Sequence, residues 1–421
     1  MDDRTKVVPT SASVPSGAPM MKPAPGGERA AKLRRLFPTV HYLREHAQKR
    51  IPRFGYEATD GGHGRDLGIE RNASALDSIE LIPRYGIDKG TCDMSVNLFG
   101  KRYAAPIGVA PIGLPGIVWP GAEKYMARAA KKAGVPFCAG TVASFTVEEL
   151  AKEAEDMLWF QLYRMPQQDH AHGFDLVRRA QSAGAQALVI TMDVPIRTKR
   201  SREIRQGLVL PFRMNATTIM DVLSSPPWLA AYLKHGLTRF ANYAPYVEGP
   251  PTPEKLASYS SKDHTGGGAF SWEEVARYRD VWKGPLVAKG IMHPRDAEKA
   301  VSLGCEGIQV SNHGGRQVEG LAASIDVLPA IVEAVGNKAT VLFDSGVRSG
   351  LDVTRALALG AKAAFAGKAF LYGLGAIGGE GPGFVLDMFK EEIREALRQC
   401  GINTIADAGK IELRHPTKWQ F

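Results

Sequence analysis

The heptapeptide Ser311-Asn312-His313-Gly314-Gly315-Arg316-Gln317 puts an imidazole and a guanidinium three residues apart on a glycine-rich turn. An imidazole accepts a proton near neutral pH, and a guanidinium is a permanently charged fork that matches two carboxylate oxygens. The pair therefore suits an anionic substrate that must lose a proton. A second group follows some thirty residues later. Asp344-Ser345-Gly346-Val347-Arg348-Ser349-Gly350 reads as a strand end opening a helix, and Gly367-Lys368 reads as another. Glycines, cations and a helix N-terminus are the components of a phosphate cradle, although helix capping alone would use some of the same residues. Lys289, Thr191 with Asp193, and Gln161 with Tyr163 each stand at the end of an apolar run. A single lysine in such a place is ordinarily solvated; three run ends of this kind together suggest a site.

The elements that would position these residues are legible as short continuous apolar runs: AAPIGVA from 104, VPFCAG from 135, MLWFQLY from 157, AQALVIT from 185, PLVAKG from 285, EGIQVSN from 306, ATVLFDSG from 339 and AAFAG from 363. Continuous rather than alternating apolarity marks strands buried on both faces. Amphipathic helical segments follow them, several ending in glycine. Eight such units imply an α/β (β/α)8 TIM barrel, whose chemistry lies at the carboxyl ends of its strands. A helix is expected from about Val40 to Arg50, stopped by Pro52. Residues 1–36 read as a disordered tail, because the stretch from Val8 to Gly27 is rich in Pro, Ser, Ala and Gly. The barrel domain then covers residues 37–421. An insertion at about 195–270, after the fourth strand, is too long for an ordinary loop. Trp228, Tyr232, Phe240, Tyr243 and Tyr246 beside Lys234, His235 and Arg239 fit an active-site lid with its own small core, or a segment that touches a membrane.

Composition narrows the function classes. The 421 residues carry a net charge of +9, with much of the excess before residue 54, as in Arg34, Arg35, Lys49, Arg50 and Arg53. A solvated basic tail explains this, and no nucleic-acid-binding motif accompanies it. Cys92, Cys138, Cys305 and Cys400 are too scattered for a zinc site or a redox pair and fit a reducing compartment. No apolar run spans a bilayer. Gly373-Leu374-Gly375-Ala376-Ile377-Gly378 fits a dinucleotide fingerprint, but it comes after the strands are used up, so it does not open a fresh βαβ unit. His170 and His172 belong to a polar helix start, and no metal is expected.

Taken together, SNHGGRQ, DSGVRSGLDV and WFQLY resemble the FMN-dependent 2-hydroxy-acid oxidases and dehydrogenases, a family that includes glycolate oxidase, L-lactate dehydrogenase and mandelate dehydrogenase. The likeness runs from about Val40 to Ile405, and GIVWP and DSGVRSGLDV are most like the bacterial lactate and mandelate dehydrogenases. The resemblance implies FMN as cofactor and oxidation of a 2-hydroxy acid to a 2-oxo acid. By position, His313 resembles the base, Arg316 the carboxylate clamp, Tyr163 the tyrosine near the substrate hydroxyl, Asp193 the carboxylate that steadies the histidine, and Arg200 a second active-site arginine. Lys289 resembles the lysine beside the flavin N1 and C2 carbonyl. Gln161, Thr191 and Ser311 resemble flavin-ring contacts, with the backbone of Pro111, Ile112 and Gly113 nearby. Asp344, Gly346, Arg348, Gly367 and Lys368 resemble the ribityl and phosphate contacts.

This chain departs from the family pattern at several positions. Ala58 stands where relatives carry a tyrosine that donates to the substrate carboxylate, and a hydrogen bond to a charged group contributes about 1.5–3 kcal/mol. Gly140 replaces a common serine near the flavin, Ile112 a threonine, and Lys368 an arginine, while Val142 stands where relatives vary with substrate size. The expectations that follow are an enzyme of the cytoplasm or the inner-membrane periphery. It passes electrons to a quinone, a carrier protein or oxygen, with dehydrogenase behaviour favoured, and is a homo-oligomer, as many relatives are tetramers. Two other readings remain: an FMN barrel acting on a bulkier or non-carboxylate substrate because of Ala58, and a non-catalytic protein using its basic arm.

Overall fold

The computed structural model describes residues 27–421, apart from 88–89, 197, 209–214, 237 and 267 and the side chains of 261–266. The expected tail of residues 1–26 lies outside this range. Two compact units are distinguished, Met1–Pro38 and Thr39–Phe421. In the first, residues assigned above to the end of the tail form helix α1 (Gly27–Leu36) instead. Ala30, Ala31, Lys32 and Leu33 are good helix formers, and Glu28 in the first turn with Arg34 and Arg35 in the last complement the helix dipole.

The second unit begins with α2 (Val40–Arg50), which ends before Pro52 as expected, then α3 (Arg53–Asp60) and α4 (Leu67–Asp77). A short strand β1 (Glu80–Leu81) follows, and then a hairpin of β2 (Val96–Leu98) and β3 (Lys101–Tyr103). The hairpin floors the barrel at the amino ends of its strands. Phe99 in its turn lies 5.6 Å from the Trp159 ring, and the Trp159 indole N–H donates to Tyr103 Oη at 2.9 Å.

The barrel comprises β4 (Ile107–Val109), α5 (Ala122–Ala133), β5 (Phe137–Gly140), α6 (Val147–Ala154), β6 (Leu158–Leu162), α7 (Ala171–Ser182) and β7 (Leu188–Thr191). The insertion then supplies α8 (Ser201–Arg205), α9 (Ala216–Leu223), α10 (Pro226–His235) and α11 (Pro253–Gly266). The alternation resumes with α12 (Trp272–Val281), β8 (Leu286–Ile291), α13 (Pro294–Ser302), β9 (Gly307–Val310), α14 (Ser324–Val335), β10 (Thr340–Asp344), α15 (Gly350–Ala358), β11 (Ala363–Ala366) and α16 (Lys368–Ile377). Helix α17 (Gly381–Gln399) and β12 (Leu413–Arg414) complete it, and β12 pairs antiparallel with β1.

The strands β4 to β11 close into one parallel barrel. Each of the eight expected strands is present, and almost every residue in them is buried, which is why their sequences read as unbroken apolar runs. Trp159 and Phe365 fill the interior, their rings 5.3 Å apart, while Phe160 and Phe343, on the alternate faces of their strands, are buried outside it. Of the dinucleotide-like glycines, Gly373 and Gly375 fall inside α16, a buried helix, where they allow close helix packing, and Gly378 ends it. A Cβ on Gly375 would lie 2.8 Å from Ala47 Cβ of α2, and one on Gly381 would lie 2.1 Å from the Gly373 carbonyl carbon.

That last contact is backbone on backbone and cannot yield by rotating a side chain. Gly381→Ala should therefore lower stability by about 1–3 kcal/mol, the usual range for overpacking, read as a shift in the urea midpoint at unchanged slope. An unchanged midpoint would show that α16 and α17 separate without cost.

Candidate active site

The loop after β9 is held open by hydroxyls beneath it. The Ser311 Oγ accepts from the His313 N–H at 3.0 Å and from Lys289 Nζ at 3.1 Å. The Ser345 Oγ accepts the N–H groups of Asn312 and Gly314 and donates to Asp344 Oδ1 at 2.9 Å. Asn312 and Asn72 of α4 exchange two amide hydrogen bonds at 2.8 Å each. These ties stabilise three successive left-handed residues, His313, Gly314 and Gly315, with φ of 59°, 69° and 73°. At Gly315 a side chain has no room, because its Cβ would lie 2.6 Å from the Gly68 carbonyl carbon.

This backbone turn aims His313 across the mouth at Asp193, just beyond β7. His313 Nδ1 lies 2.9 Å from Asp193 Oδ1. An ionised carboxylate only accepts, so Nδ1 carries the hydrogen and Nε2 keeps its lone pair. Burial, Lys289 and Arg200 lower the His313 pKa, while Asp193 raises it; the net result lies below the ordinary 6.5. Burial opposes ionisation of Asp193, but Lys289 and His313 together hold its carboxyl below the usual carboxylate range. Lys289 is almost fully enclosed, with Asp193 at 3.8 Å and Asp344 at 3.6 Å. Burial works against its charge and the two carboxylates outweigh it, so its pKa is raised.

Arg316 leaves the same loop. Its Nη1 donates to the carbonyls of Ala58 at 3.0 Å and Gly61 at 2.8 Å, and its Nη2 donates to Glu203 at 2.6 Å. Burial and neighbouring Arg200 pull Arg316 down to about 10. Arg200 caps α8 and reaches the same Glu203 oxygen at 3.3 Å. Tyr163, just past β6, has Lys289, Asp193, Arg200 and Arg316 among its electrostatic neighbours, and burial raises its phenol pKa. The expected catalytic set is thus brought together around one mouth.

The expected cofactor contacts line the adjoining strand ends. Gln161 of β6 donates to the Thr191 hydroxyl at 2.8 Å, and Thr191 is in register with Lys289. Gly140, Gly367 and Ile112 meet at one wall, where a Cβ on Gly140 would sit 3.5 Å from Ile112 O and one on Gly367 would sit 3.6 Å from Ile112 Cγ1. A Cβ on Gly113 would face Val142 at 3.8 Å. Lys368 at the start of α16 is buried, and its Nζ donates to the carbonyls of Asp60 at 2.7 Å and Gly61 at 3.1 Å. Burial, Arg316 and Arg348 drive its pKa well below normal. Asp344 accepts from Gln309 at 2.6 Å. Gln309, Ser345, Asn72 and Glu203 are parts of the site that the sequence reading did not single out.

The match to known proteins covers nearly all of this arrangement. Residues 47–415 fit the model of the FMN-dependent dehydrogenase family. This chain is a member of that family. It is 39% identical over 371 residues to an L-lactate dehydrogenase of Caulobacter sp. strain K31, covering 86% of this chain and 94% of that protein. An L-lactate dehydrogenase of Pseudomonas syringae pv. syringae is 36% identical, covering 85% and 93%. Among solved structures, the monotopic membrane protein (S)-mandelate dehydrogenase superposes with a TM-score of 0.83 at 32% identity, covering 90% of this chain and 99% of that one. A mandelate oxidase superposes at 0.75 with the same identity and coverage. The chain is therefore an FMN-dependent 2-hydroxy-acid oxidoreductase.

The residues present fit FMN. Gln161 at the end of β6 lies against the glycine wall, 3.5 Å from where a Gly140 Cβ would be, and the charges of Arg316 and Arg348 bear on buried Lys368, where a phosphate would offset them. His170 is engaged by Glu274 at 2.8 Å and His172 by Tyr259 at 2.6 Å, and among the described residues no group of metal-ligating side chains occurs. No described helix is long and apolar enough to cross a membrane.

A ligand that binds only the folded state stabilises it by mass action. FMN at about 100 times its dissociation constant should add about 2.7 kcal/mol to the stability of the apoprotein. Riboflavin, which lacks the phosphate, should add distinctly less at the same concentration; equal effects in a thermal melt would show that Asp344, Gly346, Arg348, Gly367 and Lys368 form no phosphate cradle.

Proposed function

We propose that this enzyme oxidises a 2-hydroxy acid to the 2-oxo acid with His313 as the base. The 2.9 Å His313–Asp193 contact beside two arginines carries this reading. Nε2 faces the substrate hydroxyl or α-carbon and takes one proton, and the Asp193 carboxylate stabilises the imidazolium that results. Arg316 and Arg200 hold the substrate carboxylate, and Tyr163 orients the hydroxyl. Lys289 presents a positive charge at the end of β8 toward the ring of the cofactor. FMN held here would supply the oxidant, taking up the two electrons and the second hydrogen that the substrate loses besides the proton held by His313. Gln161, Thr191, Ser311 and the backbone of Pro111, Ile112 and Gly113 hold the ring, beside Gly140. Asp344, Gly346, Arg348, Gly367 and Lys368 hold its ribityl phosphate.

The substrate is bulkier than lactate. Ala58 leaves space and no hydroxyl where a tyrosine would donate, and Val142 presents a short side chain opposite Gly113. Dehydrogenase behaviour, with a quinone or carrier protein as electron acceptor at the periphery of the inner membrane, is supported by the insertion. Ile219, Met220 and Leu223 of α9 and Leu233 of α10 are exposed at 46%, 70%, 63% and 77%. A cluster of this kind beside Lys234 suits an interfacial contact.

The base works only unprotonated. Because burial holds His313 below 6.5, kcat/KM should stay level down to that pH and fall only as pH drops further. Asp193→Asn removes the interaction that raises the His313 pKa, so the acid limb should move lower still while turnover drops on the order of 100-fold or more. An acid limb above pH 6.5, or rapid substrate reduction of the flavin in His313→Ala, would remove His313 from the role.

In anaerobic reduction of the purified yellow protein by a panel of hydroxy acids, kcat/KM should favour branched or aromatic side chains over lactate, with a dye reduced faster than oxygen is consumed. Lactate as the best substrate, or oxygen as the faster acceptor, would overturn the corresponding part of the proposal.

A further inference from the structure

The two arginines assigned to the substrate carboxylate already hold a carboxylate of the chain itself. One oxygen of Glu203 lies 2.6 Å from Arg316 Nη2 and 3.3 Å from Arg200 Nη1. Glu203 sits on α8, the first helix of the insertion, and its side chain is 17% exposed. The helix is anchored independently of this contact: the adjacent Arg202 pairs with Glu57, with Asp60 at 2.8 Å and with Asp66 at 3.2 Å. Asp60 is in turn gripped by Arg44 through two hydrogen bonds at 2.6 and 3.0 Å and by the Tyr372 hydroxyl at 2.7 Å. Arg316 is anchored too, through the Ala58 and Gly61 carbonyls. Backbone and arginines are therefore fixed, and what can exchange is the side-chain carboxylate between them.

We propose that Glu203 is an internal counter-carboxylate, a stand-in that occupies the arginine pair until a substrate carboxylate displaces it. This rests on the assignment of Arg200 and Arg316 as the carboxylate-binding pair. The displacement subtracts the same free energy from the binding of every anion. A plain carboxylate, held at a single point, falls below useful affinity. A 2-hydroxy acid, held also through its hydroxyl by His313 and Tyr163, still binds. Glu203 thus sets an affinity threshold and keeps two like charges from facing each other across an empty mouth, where neighbouring Arg200 already pulls Arg316 down.

The test uses holoenzyme and acetate, a carboxylate without a hydroxyl, read by perturbation of the flavin absorbance and by competitive inhibition. In Glu203→Gln the acetate affinity should rise on the order of tenfold, as expected when one opposing charge is removed from a partly screened site, and the KM for the hydroxy acid should fall in parallel. Acetate affinity unchanged or weakened in a folded, flavin-loaded Glu203→Gln protein overturns the proposal. Should that variant not fold, Glu203→Asp decides. It keeps the charge but shortens the reach, so acetate should bind more tightly than to the unmutated protein, and no tightening overturns the idea. Arg316→Lys tests the arginine pair separately from Glu203. If it leaves acetate affinity unchanged, the carboxylate-binding assignment itself fails. If it weakens acetate while Glu203→Gln does not tighten it, the failure is confined to Glu203.

Discussion

Lys289 sits at the carboxyl end of β8 with only 5% of its surface exposed, where an ammonium cannot stay charged without anions close by. Asp193 beyond β7 and Asp344 of β10 supply them, and Ser311 beyond β9 supplies an oxygen. One buried cation therefore ties together the ends of four consecutive strands. The same Asp193 holds His313, and the same Ser311 hydroxyl holds the His313 backbone. The orientation of the base is in this sense a by-product of neutralising the lysine. A change that removed the charge at position 289 would leave two buried carboxylates opposed without it, and the imidazole would lose the direction of its partner as well as its electrostatic surroundings.

A second charged centre performs the corresponding task on the opposite side of the mouth. Asp60 joins α2 through Arg44, the insertion through Arg202 and α16 through Tyr372. Burial alone would disfavour its ionised form, yet Arg44, Tyr372 and Arg202 hold it ionised, well below the ordinary carboxylate range. Its backbone carbonyl meanwhile receives Lys368. Helices α2 and α3, which contribute no strand to the barrel, thereby brace both the insertion that carries Arg200 and the cation at the start of α16.

Much of this was legible in the sequence, for reasons that differ by element. The eight barrel strands showed because burial on both faces leaves an unbroken apolar run, and His313, Arg316, Asp193, Lys289 and Lys368 showed because each stands immediately after such a run. The hairpin β2–β3 was invisible, since three-residue strands are too short for periodicity to register. The long helix α17 was overlooked although its start, Gly381-Pro382, carries the proline expected in a first turn. Gln309, Ser345 and Asn72 escaped because their importance comes from partners 31 to 240 positions away, as in the Asn72–Asn312 exchange, the bond from Gln309 to Asp344 and those from Asn312 and Gly314 to Ser345. Glu203 escaped for a further reason: on a short, charged helix, a glutamate next to an arginine reads as surface, and only the folded chain brings it against Arg316.

The left-handed backbone at His313 has a wider consequence. A residue with a Cβ in that conformation is held at a cost of order 1–3 kcal/mol by the ties around it. Glycine relieves the strain and asparagine tolerates it better, yet neither can serve as a base. Durability and turnover thus pull apart at this residue. A laboratory selection for thermotolerance alone would be drawn toward sequences that had given up the imidazole, so any such campaign has to select for turnover at the same time.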